Sequence, residues 1–215
     1  MHTIYLLSGP PRVGKTTIMN NLVSKTGVQL MAADALEHGL RNVLIGEPHQ
    51  MLRGIKFEGL AEFKTSFVEV GEWKKFSNNG NESEMLLEFI VGMFDYYRRN
   101  KESVALEGTE FSPEWVAKLN VPGFKVKAAY VGYTNASHLN HIFAHAKDNE
   151  HDWINDWLEL EGGDKTRISE WVKKQANKCQ QLKNEAESCG YPFFDVSSMS
   201  FERYLDSVEA YFLEK

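Results

Sequence analysis

Short apolar runs alternate with helix-spaced patterns along most of the chain. Residues 3–7 (TIYLL) are apolar and β-rich and break at Ser8-Gly9-Pro10-Pro11, which predicts a buried strand running into a tight loop. Beyond the loop Ile18, Met19, Leu22 and Val23 recur at helical spacing up to Gly27, so a helix follows. Residues 28–33 read as a second strand, and Asp34-Ala35-Leu36-Glu37 at its end has the spacing of a capping box that opens the next helix. Residues 84–99 carry Met85, Leu86, Leu87, Phe89, Ile90 and Phe94 on several faces, the signature of a helix buried against a sheet. A third strand spans 104–106 and ends in Glu107-Gly108-Thr109, and a fourth spans 125–133. Helices are predicted over 136–147, 152–160 and 166–188, the last two parted by Gly162-Gly163; 191–196 forms a fifth strand and 201–213 a closing helix. Strands alternating with helices in this way predict an α/β fold, a parallel sheet covered on both faces. Residues 46–82 fit neither period and stand out as an excursion from the core.

Composition bounds the class. With 215 residues, 42% hydrophobic and 25% charged, the chain has the makeup of one globular domain with inserted pieces. A domain of this size buries roughly 70% of its unfolded surface and needs no disulfide or structural metal. The balance of 24 Lys+Arg against 30 Asp+Glu gives a net charge of -6 without any basic cluster, so the footprint of a general nucleic-acid binder is missing. Two cysteines, Cys179 and Cys189, and no basic-then-apolar leader predict a cytoplasmic protein with unpaired thiols. No apolar run approaches the ~18 residues of a membrane span. Oligomeric state leaves no trace in the pattern.

Chemistry enters at Gly9-Pro10-Pro11-Arg12-Val13-Gly14-Lys15-Thr16, which fits glycine, any four residues, glycine, lysine and a hydroxyl residue. At average glycine usage such a match arises by chance in about one chain in a hundred of this length. The placement between strand and helix is the one that anion capture requires: successive backbone N–H groups and the start of the helix surround phosphates. Prolines 10 and 11 have no N–H, so the donors are expected from Arg12, Val13, Gly14, Lys15, Thr16 and Thr17. Lys15 is placed to bridge the β- and γ-phosphates of ATP and the Thr16 hydroxyl to ligate Mg2+.

On these residues the chain resembles the small P-loop kinases, the group of adenylate, shikimate, gluconate and nucleoside kinases. The Gly9-Pro10-Pro11 opening is similar to that of adenylate kinase, with Arg12-Val13 where small residues are common. The resemblance implies a P-loop NTPase fold, three-layered α/β/α with sheet order 2-3-1-4-5, a lid, and transfer of the γ-phosphoryl group of ATP to a small acceptor. It covers most of the 215 residues as one domain, with residues 46–82 as the acceptor-binding excursion and 147–170 as the lid region. Neither the guanine-reading Asn-Lys-x-Asp nor the transporter signature Leu-Ser-Gly-Gly occurs, and the chain is short for a ring-forming ATPase.

Further site residues follow. The resemblance implies that a carboxylate at the place of Asp34 contacts the acceptor hydroxyl, as base or as orienting group; a plain helix cap is the alternative. Arg41 and Arg53 are candidates for an anionic group on the acceptor. Glu107, at a strand end facing the ligand crevice, would hold Mg2+, directly or through water, or touch the acceptor. Lys147, Lys165 and Arg167 are the lid cations, with Arg167 preferred because it follows the Gly162-Gly163 hinge. Residues 197–200 are expected near the base. His138, His141 and His145, with His151 beyond, share a helix face that suits Zn2+ or simply a polar surface; Trp153 and Trp157 suit a base or, more simply, lid packing. The reading is an ATP- and Mg2+-dependent small-molecule kinase. Its alternatives are a nucleotide-binding switch without transfer activity and a kinase of polynucleotide ends.

Overall fold

A computed structural model describes residues 2–37, 39, 82–149 and 152–214. Five strands, β1 (His2–Ser8), β2 (Gln29–Ala32), β3 (Val104–Gly108), β4 (Phe124–Gly132) and β5 (Phe193–Asp195), form one sheet in the order β2-β3-β1-β4-β5. Every pairing is parallel. The helices are α1 (Lys15–Thr26), α2 (Glu82–Asn100), α3 (Pro113–Lys118), α4 (Leu139–Asp148), α5 (Trp153–Leu160), α6 (Thr166–Ser188) and α7 (Phe201–Leu213), with a short 3-10 turn at Ala136–His138 ahead of α4.

The two faces of the sheet explain why its strands lack polar alternation. Along β1, Ile4 and Leu6 enter a core with Leu86, Ile90 and Phe94 of α2, whereas Leu7 enters a second core with Ile18, Met19 and Leu22 of α1. The neighbouring strands split likewise: Val104 and Leu106 against Ala105, and Ala128 and Tyr130 against Ala129 and Val131. Both faces are covered, so successive residues of each central strand must be apolar. Each large side chain buried in these layers contributes about 1.5–3 kcal/mol. The long helix α6 contributes Ile168, Val172 and Ala176 to one core and Ala186 to the other. Among the described residues no helix is long and apolar enough to cross a membrane.

Two details differ from the pattern-based expectation. Residues 33–37 are helical from Ala33 onward, so Asp34 sits inside the first turn rather than capping it. Helix α3 is additional to the predicted set; the Ser112 hydroxyl accepts from the Trp115 N–H at 3.3 Å and Pro113 occupies the opening position. A capping serine followed by proline is the local signal that marks it.

Tyr130, Tyr133 and Tyr204 are fully buried in these layers, and burial pushes each phenol far above its ordinary value near 10. In the unfolded chain the phenols ionise near pH 10; in the folded chain they stay protonated. The native state therefore holds more protons above pH 10, and its stability falls there by about 1.4 kcal/mol per pH unit for each phenol. Lys15, whose burial lowers its value from 10.5, acts in the opposite sense only up to about pH 10.5. Urea midpoints are expected to drop steeply between pH 10 and 11.5. Phenolate absorbance from these three rings should appear only with unfolding, and its appearance in the native state would contradict the burial.

Candidate active site

The segment between β1 and α1 is shaped by close approach. A Cβ on Gly9, whose φ is 157°, would lie 2.1 Å from the Val131 carbonyl oxygen, so only glycine lets the loop pass the end of β4. Gly14 takes a left-handed conformation (φ 77°) as the N-cap of α1 and packs against the Phe201 ring. It has no side chain with which to cap the helix, and no acid occupies the first turn. The leading N–H groups and the positive end of the helix dipole are thereby presented to an external anion.

Lys15 is buried at 8% exposure, and its ammonium donates to the carbonyls of Gly9 and Pro10, each at 2.9 Å. Burial lowers its pKa, while the charges of Glu107, Asp34 and Glu110 favour the charged form. The next residue, Thr16, donates its hydroxyl to Glu107 Oε1 at 2.8 Å. This contact spans the sheet by register: Leu7 of β1 lies opposite Glu107 of β3, and Ala32 of β2 lies on its other side. Because β1 and β3 are direct neighbours, the carboxylate on β3 reaches the first turn of α1.

A cleft of about 850 Å³ opens above the carboxyl ends of the strands. Its polar part is lined by Lys15, Thr16, Thr17, Asp34 and Glu107. Beyond β4 it is lined by His138, His141, Ile142 and His145, and beyond β5 by Met199, Ser200 and Phe201. This is the position at which open α/β sheets take ligands, and the volume lies in the usual range of ligand pockets. Asp195, at the end of β5, fixes the loops around it by accepting from the Ser197 N–H at 2.9 Å, the Ser197 hydroxyl and the Thr134 hydroxyl. These hydrogen bonds hold its carboxyl below the usual range although burial opposes them.

The structure thus brings Gly14, Lys15, Thr16, Thr17, Asp34 and Glu107 to one cleft, and Arg12 lines it as well. Val13 instead faces the core at 1% exposure, with its carbonyl accepting from the Tyr204 hydroxyl at 2.7 Å. Arg167 is placed elsewhere: its guanidinium pairs with Glu161 at 2.6 Å and does not line the cleft. Lys147 and Lys165 are also exposed, the latter with its ammonium 4.7 Å from the Phe143 ring centroid. Arg41, Arg53, His151 and residues 46–81 lie outside the described residues, as does the side chain of Trp153.

His138, His141 and His145 do share a side of the cleft, yet no group of three or more His, Cys, Asp or Glu among the described residues could hold a metal ion. His138 is a packed residue: its ring stacks on Tyr133 at 4.5 Å, and burial lowers its pKa. Trp157 meets Trp171 edge-on at 6.2 Å, a packing contact between α5 and α6. Both cysteines are free, Cys179 buried and Cys189 half-buried.

The all-parallel sheet in this order, with a glycine loop leading from β1 to α1, is the P-loop NTPase fold. Among solved structures the chain is similar to one described as a putative kinase from Chloroflexus aurantiacus, at 13% identity and TM-score 0.45, over 98% of this chain and 96% of that one. It is also similar to dephospho-CoA kinase from Campylobacter jejuni, at 10% identity and TM-score 0.47, over 97% and 96% respectively. No protein-family model and no curated protein matches the sequence.

Proposed function

We propose that the protein is a kinase that transfers the γ-phosphoryl group of ATP to a hydroxyl of a small-molecule acceptor. The observation that carries this reading is the contact between Thr16 and Glu107 beside Lys15, in a cleft that extends to Asp34. A hydroxyl and a carboxylate held 2.8 Å apart offer hard oxygen donors of the kind Mg2+ takes, and few protein ligands suffice because substrate phosphates and water complete its shell. Bound there, Mg2+ would neutralise charge on the phosphate oxygens during transfer.

The chain's own groups divide the remaining work. The leading N–H groups of α1 and the Lys15 ammonium bind the phosphates and stabilise negative charge in transfer. Asp34, an exposed carboxylate in the cleft lining, would orient the acceptor hydroxyl and accept its proton. The walls beyond β4 and β5, with His141, Ile142, Met199 and Phe201, offer the apolar and aromatic surface that suits a base. Arg167 would serve as a lid cation only by leaving Glu161 when the lid closes.

The test is transfer from γ-labelled ATP with Mg2+ to a panel headed by nucleosides and nucleotides, followed by sugar acids and antibiotics. Labelled product from at least one acceptor is expected. Stoichiometric ATP binding with no labelled acceptor across the panel would favour a nucleotide switch. Labelling confined to oligonucleotide ends, weakening with salt, would favour a polynucleotide kinase.

A further inference from the structure

Arg12 is one of two non-glycine residues with positive φ among the described residues, at 67°. A side-chain-bearing residue keeps such a conformation only where its surroundings impose it. Two groups distant in sequence do so. The Arg12 carbonyl accepts a hydrogen bond from His138 Nε2 at 2.8 Å, which fixes the proton of that ring on Nε2. The Arg12 guanidinium donates to Asp152 Oδ1.

Asp152 is built to receive it. Its side chain is 1% exposed, the same Oδ1 accepts from the Ile154 N–H at 2.9 Å as the N-cap of α5, and Oδ2 meets His145 Nδ1 at 3.1 Å. A carboxylate so buried cannot shift without losing several partners at once, so it is a fixed post and Arg12 is the part that conforms to it. The backbone immediately after Arg12 is the stretch that carries Val13, Gly14 and Lys15 into the start of α1.

We infer that Asp152, assisted by His138, is a positioning residue for the phosphate loop: it grips the Arg12 side chain and so imposes the left-handed turn that aims the following N–H groups into the cleft. In this arrangement Arg12 acts as a handle on the backbone and does not itself touch phosphate. The inference rests on the nucleotide-binding part of the proposed function and extends it to a contact between residues 140 positions apart.

The test reads ATP affinity of the full chain by calorimetry, separately from transfer. Asp152→Asn keeps the helix cap, because asparagine caps as well as aspartate, and removes the charge that holds Arg12. It should weaken ATP binding about tenfold or more while the melting temperature stays near that of the wild type. Arg12→Ala should weaken ATP binding similarly, and the Asp152→Asn change should add nothing further in that background. Arg12→Gly decides the mode of action: glycine adopts positive φ unaided, so its affinity should return to within about threefold of the wild type. Arg12→Gly binding as weakly as Arg12→Ala would overturn the inference and make the guanidinium a direct phosphate ligand. Unchanged or tighter ATP binding by Asp152→Asn would overturn it as well. If the wild type binds ATP and these effects appear without transfer to any acceptor, the kinase reading fails and the positioning role stands. A wild type that binds no ATP overturns both.

Discussion

Lys15→Met is expected to lower phosphoryl transfer at least about 10³-fold, equivalent to about 4 kcal/mol of transition-state stabilisation, and to leave the fold standing. Lys15 is 8% exposed, with its ammonium between the carbonyls of Gly9 and Pro10; burial lowers its pKa, and nearby carboxylates, Glu107 foremost, oppose that shift. A charge held in so dry a seat is screened little by water, and it costs no rearrangement when charge develops on a phosphoryl group beside it. Methionine has a comparable length but no charge, so the seat stays filled. Two opposing changes then act on stability. The carbonyls of Gly9 and Pro10 each lose a donor, at about 1 kcal/mol apiece, while the desolvation that lowers the lysine's pKa is relieved. The melting temperature should therefore move by no more than about 4 °C. Steady-state kinetics with the best acceptor, run beside a thermal melt, checks both halves. Retention of more than a tenth of wild-type transfer would sink the role given to Lys15, and a collapse of the melt would mean that the lysine is a structural residue first. Lys15→Arg should fail almost as badly, because a planar guanidinium does not fit a pocket closed around two carbonyls.

The glycine loop between β1 and α1 is legible because its pattern is local. Eight successive residues carry it, and the strand before and the helix after announce themselves by periodicity. The same holds for α6 and α7, whose bounds match the pattern because glycines precede α6 and Ser200 caps α7 through the Arg203 N–H. Sheet order came by a different route, from the resemblance carried by the loop, and the structure has that order. What periodicity could not show is long-range contact. Nothing near Arg12 in sequence signals a positive φ, since the two groups that impose it stand 126 and 140 positions away. Asp152 was visible as the start of a helix but not as the seat of an arginine. The three histidines were visible as a spacing, yet the first lies on a 3-10 turn and is packed on Tyr133, a distinction that depends on a ring arriving from the end of β4. Asp34 stands at the end of β2 as the pattern predicts but is helical rather than an N-cap, because the helix starts at Ala33, two residues earlier than the capping pattern suggests.

Glu107→Gln separates the charge at the end of β3 from its hydrogen bond. The glutamine carbonyl oxygen can still accept from the Thr16 hydroxyl, so the 2.8 Å contact and the register of β3 against β1 should survive. What disappears is the negative charge beside Lys15 and one hard anionic oxygen in the cleft. Transfer should fall about 100-fold at fixed Mg2+ concentration, and half-saturation by Mg2+ should move to higher concentration. ATP binding measured with chelator present should change in the other direction, because a carboxylate that repelled the phosphates has been neutralised. That opposition is informative: a merely misfolded cleft would lose affinity under both conditions. Glu107→Asp keeps the charge but withdraws it by one methylene, so Thr16 loses its partner while the Mg2+ requirement stays closer to that of the wild type. Wild-type kcat and Mg2+ dependence in Glu107→Gln would show that the carboxylate acts on the acceptor or on Lys15 alone, and would remove it from the metal-holding set.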